Sequence, residues 1–131
     1  MDPIRDVLSR AKTIAVVGLS NHPFRASHGV SAYMQVQGYK IIPVNPNIEE
    51  ALGEKAYASL LDVPEKIDIV NLFRRSEFVE EFVDQAIELK IAAVWMQEGV
   101  INEAAAEKAR KAGMFVVMDL CILKEHQLRF R

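Results

Sequence analysis

Apolar strands alternating with amphipathic helices along this 131-residue chain predict an α/β fold: a parallel sheet covered by helices on both faces. Three observations carry that expectation. Five short runs, Thr13–Val17, Lys40–Val44, Ile67–Leu72, Ile91–Met96 and Met114–Met118, are apolar almost throughout, the pattern of strands buried on both sides. Stretches with apolar residues at helical spacing separate them. Parallel neighbours need right-handed crossovers, and those helices supply them.

Taken in order, Ile4, Val7, Leu8 and Ala11 fall on one helical stripe, so Asp2–Arg10 reads as a short helix with Pro3 in its first turn. After the first strand the chain turns at Gly18. A helix then opens near Ser27, a good N-cap, and repeats Val30, Tyr33, Met34 and Gln37 along one side until Gly38 stops it. Beyond the second strand, residues 45–61 hold turn residues and one short helix around Tyr57–Leu61, and Pro64 sets them off from the third strand. Ser76 is the expected cap of Glu77–Lys90, with Phe78, Phe82, Ala86 and Leu89 as its inner stripe. Asn102 caps an alanine-rich helix, Glu103–Ala112, ended by Gly113, and a short polar tail follows the fifth strand. With no internal repeat, low-complexity run or linker, residues 1–131 are expected to form a single domain. The expected architecture is a Rossmann-like, doubly wound five-stranded parallel sheet in a three-layer α/β/α arrangement.

Half of the residues are hydrophobic, enough for a real core. A net charge of −2 and a pI near 5.9 give no field that gathers nucleic acid or an anionic membrane, so any anion must be held locally. One cysteine, Cys121, excludes an internal disulfide framework and fits a reducing compartment. No apolar run approaches the roughly 18 residues of a spanning helix. Residues 1–12 are too charged for a signal peptide, and a cytoplasmic location is expected.

Sheets of this kind bind ligands beyond the carboxyl ends of their strands, where the strand order reverses. The segments to read for chemistry are therefore 18–27, 45–46, 73–76, 97–100 and 119–121. Gly18 permits close backbone approach, Ser20 and Ser27 supply hydroxyls, and Arg25 offers a positive fork beside a helix N-terminus whose free amides favour an anion. The same residues also fit an ordinary strand-to-helix loop. Only one glycine of the dinucleotide fingerprint is in place, there is no phosphate-loop lysine, and Pro43-Val44-Asn45-Pro46 stands where a ribose-binding acid would follow the second strand. An NAD site is weakened accordingly.

Read together, Gly18-Leu19-Ser20, Arg25 and Ser27, Pro43-Val44-Asn45-Pro46, Asp68-Ile69-Val70-Asn71-Leu72-Phe73-Arg74, Val94-Trp95-Met96-Gln97-Glu98-Gly99-Val100 and Asp119-Leu120-Cys121 resemble the small CoA-binding protein family. Its fold is similar to the CoA-binding domain of the succinyl-CoA synthetase alpha subunit, and the resemblance runs from about Ile4 to Glu125. It implies coenzyme A or an acyl-CoA as ligand. Gly18, Leu19, Ser20, Arg25, Ser27 and Val30 would hold the pyrophosphate. Asn45 and Pro46 would shape the adenosine side, although a Pro-punctuated turn explains them equally. Lys40 would meet the nucleotide end, or it is a surface lysine at a strand start. Phe73 and Arg74 would cover the adenine or pantetheine and pair with phosphate, against the alternative of a core ring and a solvated arginine. Gln97 and Gly99 would offer an amide and open backbone, with Glu98 turned away.

The resemblance to the synthetase is expected to stop short of its chemistry, because these 131 residues match only the CoA-binding part and not the domain that carries the phosphorylated histidine. His22, His28 and His126 read as exposed or capping residues without metal-ligand spacing, and no Ser-His-Asp or Cys-His set can be assembled. Cys121 either faces the ligand thiol, with which it would form a mixed disulfide, or is a buried inert cysteine. Trp95 reads as core. The expectation is a non-catalytic carrier, sensor or regulatory protein, with a partner enzyme or a homo-oligomer as possible company. The alternative is an NAD(P)-linked oxidoreductase or an acyl-CoA-using enzyme completed by a partner chain.

Overall fold

The computed structural model describes residues 1–130. In chain order its strands are β1 (Thr13–Val17), β2 (Lys40–Val44), β3 (Glu50–Ala51), β4 (Glu54–Lys55), β5 (Ile69–Leu72), β6 (Ala93–Met96) and β7 (Phe115–Val117). All but β3 and β4 join one parallel sheet in the spatial order β2-β1-β5-β6-β7, so the winding reverses between β1 and β5. Ile14 lies opposite both Ile41 and Ile69, a register that keeps each apolar row in one layer. This is the doubly wound α/β sheet that the alternating pattern predicts.

Side-chain alternation splits the core in two. On one face lie α1 (Pro3–Arg10), α2 (Ala26–Val36) and α5 (Ile122–Arg129), and on the other α3 (Glu80–Glu88) and α4 (Glu103–Lys111). Ala15, Val17, Val44, Val70, Leu72, Val94 and Met96 face α3 and α4. Ile14, Val16, Ile41, Ile69, Ala93 and Trp95 face the other three helices. Trp95 is core, 1% exposed, and its indole N–H donates to the Leu120 carbonyl at 2.7 Å. Among the described residues no helix is long and apolar enough to cross a membrane.

Several expectations about elements need correction. The chain after Met118 is no polar tail: Ile122–Arg129 is a helix that buries Ile122 and His126 and stacks Phe130 on the His126 ring. The buried stripe runs through a histidine, so the pattern looks polar. His126 is therefore neither exposed nor capping; its Nδ1 lies 2.9 Å from the Tyr33 hydroxyl, and burial pushes its pKa down. Strands β3 and β4 form a small hairpin turned by Leu52 and Gly53 at positive φ. A leucine in that conformation carries no turn signal.

The short helix expected at Tyr57–Leu61 is a 3₁₀ turn at Leu60–Asp62 capped by Ser59. Ser76 opens a second 3₁₀ turn, Ser76–Phe78, before α3, and its hydroxyl accepts from the Ile101 amide. The buried stripe there is Val79, Val83 and Ala86, while Phe78 and Leu89 are exposed. Shifting the start of the helix by three residues rotates its inner face.

Candidate functional site

The carboxyl ends of β1 and β5 meet at Gly18. Its φ of +84° is left-handed, and a Cβ there would lie 2.2 Å from the Phe73 carbonyl oxygen. Only glycine fits on both counts. Its N–H donates to the Val44 carbonyl at 2.9 Å, and the Phe73 N–H donates to Val17 at 2.9 Å, so three strand ends are tied to one turn.

Beyond that turn the loop is organised by its own hydroxyls. Ser27 Oγ accepts from the Ser20 amide and Ser20 Oγ from the His22 amide, both at 3.0 Å. Each hydroxyl thus keeps its hydrogen for another acceptor. Helix α2 begins at Ala26, and Arg25 rather than Ser27 is its N-cap, with no side chain capping the first amides and no acid in the first turn. An arginine at the positive end of a helix dipole is unfavourable in isolation. The arrangement becomes favourable when an anion sits between them.

Two hollows adjoin at Gly18 and Phe73. One, of about 410 Å³, is lined by Ser20, His22, Arg25, Ala26 and Ser27. The other, of about 450 Å³, lies between Asn45, Pro46 and Asn47 on one side and Ala58, Ser59, Arg74, Glu81, Phe82 and Gln85 on the other. The Arg74 guanidinium lies 5.3 Å from the Phe78 ring centroid. Phe73 is half-buried between the hollows, neither pure core nor free.

Asn45 lines the larger hollow, but its Nδ2 donates to the Leu19 carbonyl at 3.0 Å and its Oδ1 accepts from the Asn47 amide at 2.9 Å; it pins the glycine turn. Leu19 is fully buried and Val30 packs on the same core, so their side chains anchor the loop and α2. Gln97 is 3% exposed with its Oε1 accepting from the Ile122 amide at 2.9 Å, which closes the start of α5. Gly99 donates its amide to Asp119 at 2.7 Å, and Glu98 turns outward to Lys124 at 3.1 Å.

Lys40 is not brought to the cleft. It begins β2, at the opposite end of the sheet, and pairs with Glu65 at 2.9 Å. Cys121 is 7% exposed at the N-cap of α5 and lines neither hollow. Sequence reading missed Ser59, Glu81, Phe82 and Gln85. They sit on a turn and a helix that approach the strand ends only in the folded chain, though Ser59 before an apolar pair carried an N-cap signal.

Fold and cleft together define a Rossmann-like α/β protein with a cleft at the carboxyl ends of its strands, beside a glycine turn and an uncapped helix start. The chain belongs to the CoA binding domain family, which it matches over residues 12–127. It is 50% identical to YneT of Bacillus subtilis (strain 168), over 94% of this chain and 91% of that one. It is 29% identical to the acetate–CoA ligase (ADP-forming) II subunit alpha of Pyrococcus furiosus over 89% of this chain, and spans only 28% of that subunit. A solved structure of a hypothetical protein from Pyrococcus horikoshii OT3 superposes with a TM-score of 0.95 at 41% identity, covering 98% of this chain and 90% of that one. The family resemblance carried by the strand-end motifs is thus confirmed.

Proposed function

We propose that this protein binds coenzyme A or an acyl-CoA across the two hollows, as a non-catalytic carrier, sensor or regulatory protein of the cytoplasm. The observation that carries this reading is the open start of α2: uncapped amides, two hydroxyls with hydrogens to give, and Arg25 at the N-cap, all beside a glycine turn. Pyrophosphate meets each of those demands. Asn45 stands where an acid would repel a ribose 3′-phosphate, and Arg74 adds a charge at the junction.

Residues Gly18, Ser20, Arg25 and Ser27 hold the pyrophosphate; Asn45, Pro46, Phe73 and Arg74 enclose the nucleotide. A second reading, an acyl-CoA-using activity completed by a partner chain, is favoured by the Pyrococcus furiosus ligase subunit, of which this chain matches only a part. Native mass spectrometry of the purified protein, followed by calorimetric titration with CoA, acetyl-CoA and NAD, tests the proposal. Saturable binding of CoA species without response to NAD supports it, and binding of NAD alone overturns it.

A further inference from the structure

The smaller hollow has a second basic side chain. His22 lines it together with Arg25, and no carboxylate does. The Arg25 N–H donates to the His22 carbonyl at 3.0 Å across a turn that contains Pro23, so both side chains leave one tight loop. Ser20 Oγ accepts from the His22 amide at 3.0 Å, which ties the start of that turn to the hydroxyl facing the hollow. The imidazole lies 5.4 Å from the exposed Phe24 ring at a tilt of 30°, a contact on its face. Its nitrogens lie in the ring edge, and neither has a hydrogen-bond partner among the described residues.

We infer that His22 is a further phosphate ligand: as the imidazolium it supplies, with Arg25, the second cation of the pyrophosphate subsite, and ligand affinity tightens as pH falls. The inference rests on CoA binding in the cleft. A pyrophosphate carries two anionic phosphoryl groups, whereas Arg25 alone offers the hollow one formal charge. Histidine is the side chain that changes charge between pH 5 and 8, and the charged ring donates from both nitrogens where the neutral ring donates from one. A bound anion favours the charged form, so binding takes up protons near neutral pH and strengthens as pH drops. The other basic groups around the loop are Arg74, beyond Phe73, and His28, in the first turn of α2. An arginine keeps its charge across this range, and His28 does not line the hollow.

Dephospho-CoA is the probe, because it lacks the 3′-phosphate, whose second ionisation near about pH 6 falls in the same window. Calorimetric titrations at about pH 5.5 and about pH 8 compare the wild type with His22→Gln, His22→Lys and His28→Gln, each shown by thermal unfolding to be folded at both. The wild type is expected to bind about 5- to 10-fold more tightly at the lower pH, the gain of one charge-assisted bond. At pH 7 its binding heat should vary with the ionisation enthalpy of the buffer, the mark of proton uptake. His22→Gln should lose both effects, and His28→Gln should keep both. His22→Lys, with a fixed charge, should bind tightly at either pH, and it decides the matter if His22→Gln fails to fold. Equal affinity at the two pH values in the wild type, or a pH gain that His22→Gln or His22→Lys retains, overturns the inference and spares the CoA reading. Failure of the wild type to bind dephospho-CoA or CoA at either pH overturns both.

Discussion

Helices α2 and α4 both start just past the carboxyl end of a central strand, yet one start is closed and the other open. At α4, Asn102 caps in the ordinary way, its Oδ1 accepting from the Ala105 amide at 3.0 Å and its Nδ2 donating to Ser76. At α5 the Gln97 side chain does the same service for Ile122. At α2 no side chain caps, and the residue in the capping position is a cation. The two ends of the sheet differ likewise: at the amino end, Asp68 Oδ2 accepts from the Lys12 and Thr13 amides and Lys40 is paired with Glu65. Helix α3 also lacks a side-chain cap, but Glu80 and Glu81 in its first turn suit the dipole, whereas α2 has a cation at the cap and no acid in its first turn.

The sharpest way to break that comparison is at its pivot. Gly18→Ala forces a left-handed alanine against the Phe73 carbonyl, so it should cost about 1–3 kcal/mol of stability from backbone strain alone. The clash adds to that cost, and CoA binding should be abolished; urea unfolding and titration read the two effects. Next come the cations. Arg25→Ala and Arg74→Ala should each weaken CoA by about 10- to 100-fold while leaving thermal unfolding nearly unchanged. Asn102→Ala should do the reverse, costing about 1 kcal/mol of stability through the lost cap with CoA affinity intact.

A smaller effect sits on the far face, in the His126 cluster. Burial lowers the His126 pKa in the folded state, whereas the unfolded chain titrates near the ordinary value of about 6.5. The unfolded state therefore takes up the proton first as pH falls. Stability is full above about pH 6.5 and is lost as pH drops from there toward the depressed folded pKa. Denaturant midpoints across that window should fall in the wild type and flatten in His126→Gln. Smallest of all is Lys40→Ala, which breaks an exposed ion pair at the wrong end of the sheet and should leave CoA titrations unchanged.

Much of this was legible in the residues. Continuous apolar runs identify buried parallel strands because both faces of each strand are covered, and that periodicity survives without tertiary information. That Gly18, Ser20, Arg25 and Ser27 line one hollow was legible too, since they are close in sequence. The helix after Cys121 was not: its inner stripe of Ile122, His126 and Phe130 runs through a histidine that is buried against Tyr33 and Phe130, which the residue type does not announce. Gln97 reads as a free amide at a strand end, and only the position of α5 shows that its oxygen is spent. The far wall of the larger hollow, Ser59 and Gln85, is joined by a bond across 26 positions that no local pattern records.

The most direct test replaces the cation at the open helix start with a capping acid. Arg25→Asp supplies the missing cap and the charge that suits the dipole, so the ligand-free protein should gain about 0.5–2 kcal/mol of stability. Calorimetric titration of CoA into the wild type and this variant then decides. The account predicts saturable binding by the wild type and none by the more stable variant; equal binding by both, or none by the wild type, would contradict it.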